Sequence, residues 1–189
     1  MAADLPIELF VTAIDWRSWL ERHYATSDGV WLRIYKKGHG ESITYALALD
    51  EALCYGWIDS QKAKYDDDSY LQKFTPRRAR SIWSKRNIEI TERLIKEGKM
   101  TPAGQAEIDA AKADGRWQQA YDSPANMEIP KDFLQQLEQH PKARAFFDTL
   151  NKTNLYSIAW RLQTAKTEAT RNRRMQVILD MLDKGEKFH

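Results

Sequence analysis

Apolar positions along the chain recur at two different periods, and each period predicts its own kind of element. Ile14, Trp16, Trp19, Leu20 and Tyr24 fall at helical spacing, so a helix is expected over 14–23, closed by a turn at Ser27, Asp28 and Gly29. Residues 30–37 alternate instead, with Trp31, Arg33 and Tyr35 on one side and Leu32 and Ile34 on the other. That is the signature of a strand, and Gly38 and Gly40 break it. Thr44 is placed to cap a helix running to Tyr55, with Leu49, Ala52 and Leu53 turned inward and Gly56 ending it. Two further β-compatible runs, 57–64 and 69–75, are joined at the carboxylates Asp66, Asp67 and Asp68.

From Ser81 onward the period is helical throughout. A helix is expected over 83–97 and stopped by Gly98; Thr101 and Pro102 then open a second, which ends at Gly115. Four more follow, over 130–139, 141–150, 154–165 and 168–184, the last capped by Thr167 and stopped by Gly185. The stretch 117–129, with Ser123, Pro124, Ala125 and Asn126, reads as a linker. The fold class is therefore α+β: a small antiparallel sheet with packed helices in the N-terminal part, followed by a C-terminal helical bundle. Residues 1–122 are expected to form the α+β domain that carries the candidate site, and 123–189 a helical segment packed on it.

Composition narrows the setting. A chain of 189 residues with 42% hydrophobic and 30% charged residues is globular, and its Trp 7 and Tyr 8 are a heavy load of large amphipathic rings. Asp4 and Glu8 stand where a secretory leader would carry positive charge, and no apolar run is long enough to span a bilayer. The lone Cys54 has no partner for an internal disulfide. Together these features lead to the expectation of a cytoplasmic protein.

The net charge of +2 says little, but its distribution says more. Lys73 to Lys99 holds nine basic residues against three acidic ones, just after a segment, Glu51 to Gln72, with five acidic residues and two lysines. Glu89 to Arg93 and Glu92 to Lys96 have the spacing of helix ion pairs, which removes Arg93 and Lys96 from any binding patch. What remains is Arg77, Arg78, Arg80 and Lys85, among aromatics and just ahead of a helix start. Guanidinium forks and free backbone N–H groups both favour carboxylate or phosphate oxygens.

On the preceding strand Asp59 and Gln61 lie two apart and share a face with Trp57, and on the helix Trp83, Asn87, Ile90 and Leu94 share another. The candidate ligand-binding set is thus Trp57, Gln61, Arg77, Arg78, Arg80, Trp83, Lys85 and Asn87, around a small anionic ligand. Asp59 is the candidate catalytic group, as a general acid or base whose pKa burial would raise and arginines would lower. The bland alternative for each is a solvated surface or a stitch between helix and hairpin.

No P-loop, Rossmann glycine pattern, GxSxG or HExxH is present, and the four histidines are scattered singly, so no metal or cofactor is expected. Cys54, at the end of a helix, reads as a packing residue. The helices around Gly98 have helix-turn-helix spacing, but Glu107, Asp109 and Asp114 on the second would repel phosphates. Nucleic-acid or protein interaction through the basic surface is thus an alternative partner class and not the favoured one; Arg171, Arg173 and Arg174 form another basic surface. Oligomeric state leaves no mark on the sequence.

Five segments, GVWLRIYKKG, TYALALDEALCYGWIDSQ, LQKFTPRRARSIWSKRN, RLIKEGKMTPAGQAEIDAAKADGRW and AKTEATRNRR, resemble the YdeI/OmpD-associated family, also called bacteriocin-protection proteins. The resemblance runs from about Trp16 to Gly185, with the part from about Ile129 similar to the helical segment by which the family is recognised. It implies a role in bacteriocin or envelope-stress protection and supplies no catalytic residues.

Overall fold

A computed structural model describes residues 5–123 and 126–189. Asp4, and Pro124 and Ala125 of the expected linker, lie outside the described residues. The chain divides into two compact units. The first runs to Trp83 and resumes over Asn87–Gln118; the second comprises Ser84–Arg86 and Gln119–His189.

The first unit holds β1 (Ile7–Glu8), α1 (Ala13–His23), β2 (Val30–Tyr35), α2 (Tyr45–Cys54), β3 (Trp57–Lys64), β4 (Ser69–Pro76), most of α3 (Lys85–Lys96), and α4 (Pro102–Ala113). The strands form one sheet in the order β1-β2-β4-β3. Its β2–β4 and β3–β4 pairs are antiparallel as expected, but β1 adds to β2 in parallel, with Ile7 opposite Trp31, so the sheet is mixed. Along β2 the buried positions are Val30, Leu32 and Ile34, so the alternation read from sequence sets which face meets the helices.

That face packs on an indole-rich core. Trp16, Trp57 and Phe74 are almost wholly buried, and Trp16 stacks on Trp19 at 5.2 Å between ring centroids. Full burial of such a ring contributes roughly 2–3 kcal/mol, provided its N–H finds an acceptor. Trp16 Nε1 donates to the Ala48 carbonyl at 3.0 Å, and Trp57 Nε1 to the Tyr24 carbonyl at 3.1 Å. The rings therefore tie α1 to α2 and β3 to the turn after α1.

Capping follows the sequence closely. Thr44 accepts from the Leu47 N–H at the start of α2, and Gly56, with φ +73, ends the turn that follows it. Thr101 accepts from the Gly104 N–H and also donates to the Cys54 carbonyl at 2.6 Å, which fastens α4 to the end of α2. Gly104 makes that approach feasible, since an added Cβ would fall directly on the Cys54 carbonyl and the Met100 sulfur. The three carboxylates of the β3–β4 turn have a local explanation. Asp66 accepts from the Asp68 and Ser69 N–H groups and the Ser69 hydroxyl, and pairs with Arg33 at 2.7 Å; these contacts, the Ser69 hydroxyl above all, hold its carboxyl below the usual range.

The second unit is helical: α5 (Lys131–Leu137), α6 (Pro141–Phe147), α7 (Lys152–Gln163) and α8 (Glu168–Asp183). Its core is Phe133, Leu137, Phe147, Ile158, Leu162, Ile178, Leu179 and Leu182. Thr167 caps α8, and Gly185 follows its end with φ +71. Among the described residues, no helix is long and apolar enough to cross a membrane.

Candidate functional site

The turn after α1 and the end of β4 create an open recess in the first unit, and one glycine explains why they meet. Gly29 has φ +145, and an added Cβ would lie 2.8 Å from Thr75 Cγ2 and 2.9 Å from the Phe74 carbonyl. With no side chain there, the turn lies directly against β4. The recess holds about 400 Å3 and is lined by Asp28, Lys73, Thr75, Pro76, Arg77 and Arg78, together with Leu5. Three basic residues and one carboxylate thus contribute to a lining that is part polar and part apolar, with Nε and Nη2 of Arg77 buried rather than turned into the open space.

The arginines are held in different ways. Arg77 is 7% exposed, and its guanidinium carbon sits 3.6 Å from the centroid of the buried Trp83 ring. Trp83 in turn meets Trp117 at 4.9 Å, and Lys112 lies over Trp117 at 5.1 Å. Stacking of this kind fixes a guanidinium plane while leaving its charge intact. The Arg77 N–H donates to the Gly56 carbonyl at 3.0 Å, so the glycine that ends α2 also positions the end of β4. Arg78 and Arg80 are exposed in a turn closed on itself, where the Arg78 N–H donates to Ser81 Oγ and the Ser81 N–H donates to the Arg78 carbonyl. Arg116, buried and paired with Asp114 at 2.6 Å, steadies this turn from below by donating to the Ser81 carbonyl at 3.0 Å.

Other candidates lie elsewhere. Trp57 is part of the hydrophobic core, and Asp59, half-buried, accepts from the Tyr45 hydroxyl at 2.8 Å. Gln61 is exposed. A register shift between Asp59 and Lys62 interrupts the alternation that would have put Asp59 and Gln61 on one face, and the buried Gln72 side chain donates to the Gln61 carbonyl within it. Helix α3 begins at Lys85, so Trp83 precedes the helix instead of sharing its face with Asn87, which is buried in its first turn. Lys85 belongs to the second unit and pairs with Asp122 at 2.7 Å. Arg93 is neutralised as expected, but by Asp50 at 2.6 Å and Glu97 at 3.1 Å. Cys54 is fully buried, and burial, reinforced by the nearby Glu51, pushes its thiol up to about 11.

Asp28, Lys73 and Arg116 escape sequence reasoning because their places depend on pairing distant in sequence. Trp31 opposite Lys73 is a sheet contact, and nothing in the spacing announces it.

A family model described as bacteriocin-protection, YdeI or OmpD-associated matches residues 126–185. The chain carries that family's domain over those residues. A second model, described as a domain of unknown function (DUF8412), matches residues 9–107, more than half of the chain, and so gives it membership of that family. The recess at Arg77 and Arg78 is lined entirely by the first unit, and all but Leu5 of its lining lies within the DUF8412 match; the YdeI/OmpD-associated match lies within the second unit. No curated protein and no solved structure matches the chain.

Proposed function

We propose that this chain is a cytoplasmic binding protein that accepts a small phosphate- or carboxylate-bearing molecule in the recess formed by Lys73, Thr75, Arg77 and Arg78. The observation that carries this reading is the recess itself: about 400 Å3 of open space with Lys73 and the exposed Arg78 in its lining and Arg77, stacked on Trp83, in its wall. The exposed Arg78 supplies the guanidinium fork that meets the oxyanion, and the buried Arg77 adds positive charge to the wall behind it. Asp28 on the opposite wall selects for ligands that also carry a hydroxyl or amino donor. The protection that the family's description names supplies the physiological setting for such binding.

Thermal shift of the full chain with inorganic phosphate, pyrophosphate and citrate tests the reading. At least one of these anions should raise the melting temperature, by mass action on the folded state, and Arg78→Ala, exposed and dispensable for packing, should lose most of the increment. An equal increment in both proteins, or none in either, rejects the recess as the site. Asp59, hydrogen-bonded to Tyr45, serves as the internal control: Asp59→Asn should keep the full increment.

A further inference from the structure

The second unit contains a recess of opposite character. Trp160 and Arg161 of α7, Arg173, Arg174, Val177 and Ile178 of α8, and Phe188 enclose about 350 Å3, and apolar surface dominates the lining. One wall is supplied by the segment beyond α8, which folds back onto α7. The His189 N–H donates to Asn154 Oδ1 at 3.1 Å, Asn154 Nδ2 donates to the His189 carbonyl at 3.3 Å, and the His189 ring meets Ser157 Oγ at 3.0 Å. Asn154 is 1% exposed, so the clasp is anchored on a buried amide whose polar atoms it satisfies. It delivers Phe188 beneath the Arg161 guanidinium, whose carbon lies 3.9 Å from the ring centroid. The opposite wall includes Val177, 53% exposed although apolar.

The rim is cationic and uncompensated. Arg174 donates to the Arg161 carbonyl at 2.7 Å and to Thr164 Oγ1 at 3.3 Å, which orients it without neutralising it. Arg171, one turn back, pairs with Asp132, whereas among the described residues none of Arg161, Arg173 and Arg174 pairs with a carboxylate. An apolar floor with flat walls and three charged forks at its mouth fits an anion with an apolar body. From this geometry we infer that the second unit binds an amphipathic carboxylate, an aromatic or medium-chain acyl group ending in an oxyanion, with the apolar body between Trp160, Val177 and Phe188 and the head on Arg161, Arg173 and Arg174. This site is independent of the polar recess in the first unit.

Fluorescence titration of the full chain with 8-anilinonaphthalene-1-sulfonate, followed by competition, tests this. Saturable binding should be displaced by decanoate or 2-naphthoate, with decanol and 2-naphthol at least about tenfold weaker, one tenfold step being the scale of a single good charge contact. Val177→Glu and Arg173→Glu, both at exposed positions, should weaken the dye and the carboxylates by a similar factor, while Lys142→Glu, the same charge reversal elsewhere in the unit, should change nothing. Equal competition by the neutral alcohols overturns the inference, as does unchanged binding in Val177→Glu. Capture by anionic vesicles without binding of the monomeric carboxylates also overturns it, in favour of a lipid surface. Circular dichroism of each variant separates lost binding from lost folding.

Discussion

The two units build their interiors from different materials, and their recesses differ in the same sense. The first packs indoles whose N–H groups double as ties between elements, as Trp16 does to Ala48 and Trp57 to Tyr24. The second packs Leu, Ile and Phe, and its one indole, Trp160, lines the apolar recess instead of the core. In the first, an arginine is stacked on a buried tryptophan beside a polar recess; in the second, arginines ring an apolar one. On the two proposals made above, the surface around a guanidinium sets the ligand it takes: a recess with polar lining takes a hydrophilic anion, and an apolar one takes an anion with a hydrocarbon body.

The largest test of this contrast is in the cores. Trp16→Ala should cost about 3–5 kcal/mol for the cavity and roughly 1 more for the lost hydrogen bond to the Ala48 carbonyl, whereas Phe133→Ala in the second unit should cost the cavity alone. Guanidinium melts give the ranking, and a greater loss for Phe133→Ala would break the comparison. Next come two glycines. Gly104→Ala drives a methyl into the end of α2 and should cost about 1–3 kcal/mol or more. Gly185→Ala, whose Cβ would meet only Phe146 Cε2 at 3.9 Å, pays only for its positive φ, about 1 kcal/mol. Equal losses in urea melts would show that close helix approach is not the constraint on Gly104.

Smaller still are the caps. Thr167→Ala should cost about 1 kcal/mol, and Thr101→Ala somewhat more, because Thr101 also serves the Cys54 carbonyl. The smallest effect is electrostatic. The hydrogen bond from Lys85, with a second from Gln163, holds the Asp122 carboxyl below the usual range. A depressed folded pKa means that this contribution is present above the unfolded value, about 3.9, and is lost as pH falls through the folded one. Asp122→Asn should therefore flatten the acid limb of the stability curve and leave the region above neutrality unchanged; an altered slope near pH 7 would contradict the assignment.

Much of the fold was legible because it is written in local chemistry. Thr44, Thr101 and Thr167 as caps, Gly56, Gly98 and Gly185 as stops, and the alternation along β2 each act within a few residues of themselves. What could not be read depends on partners far along the chain. The two residues of β1 have no pattern of their own and become a strand only through Trp31 and Leu32. Helical periodicity carries backward through Trp83, yet Ser84 is engaged in a bridge with Tyr121, so the helix starts later. Arg93 looked paired with Glu89 one turn before it, and is paired with Glu97 one turn after it and with Asp50, forty-three positions away. The candidate site divides the same way. Arg77, Arg78 and Trp83 announce themselves as a cluster, whereas Asp28 arrives through the tight approach at Gly29.

The irregularity between Asp59 and Lys62 has a consequence for how copies of this protein behave beside one another. It lies on β3, an outer strand of the sheet, where a regular eight-residue edge would offer a row of unpaired amides to any neighbour. The shift in register, clasped by Gln72, bends that row out of line, and the exposed Lys62 and Lys64 add like charges along it. The other edge is β1, two residues long. Each border of the sheet is therefore a poor template for strand addition, so crowding gives this domain little opportunity to grow into a fibre.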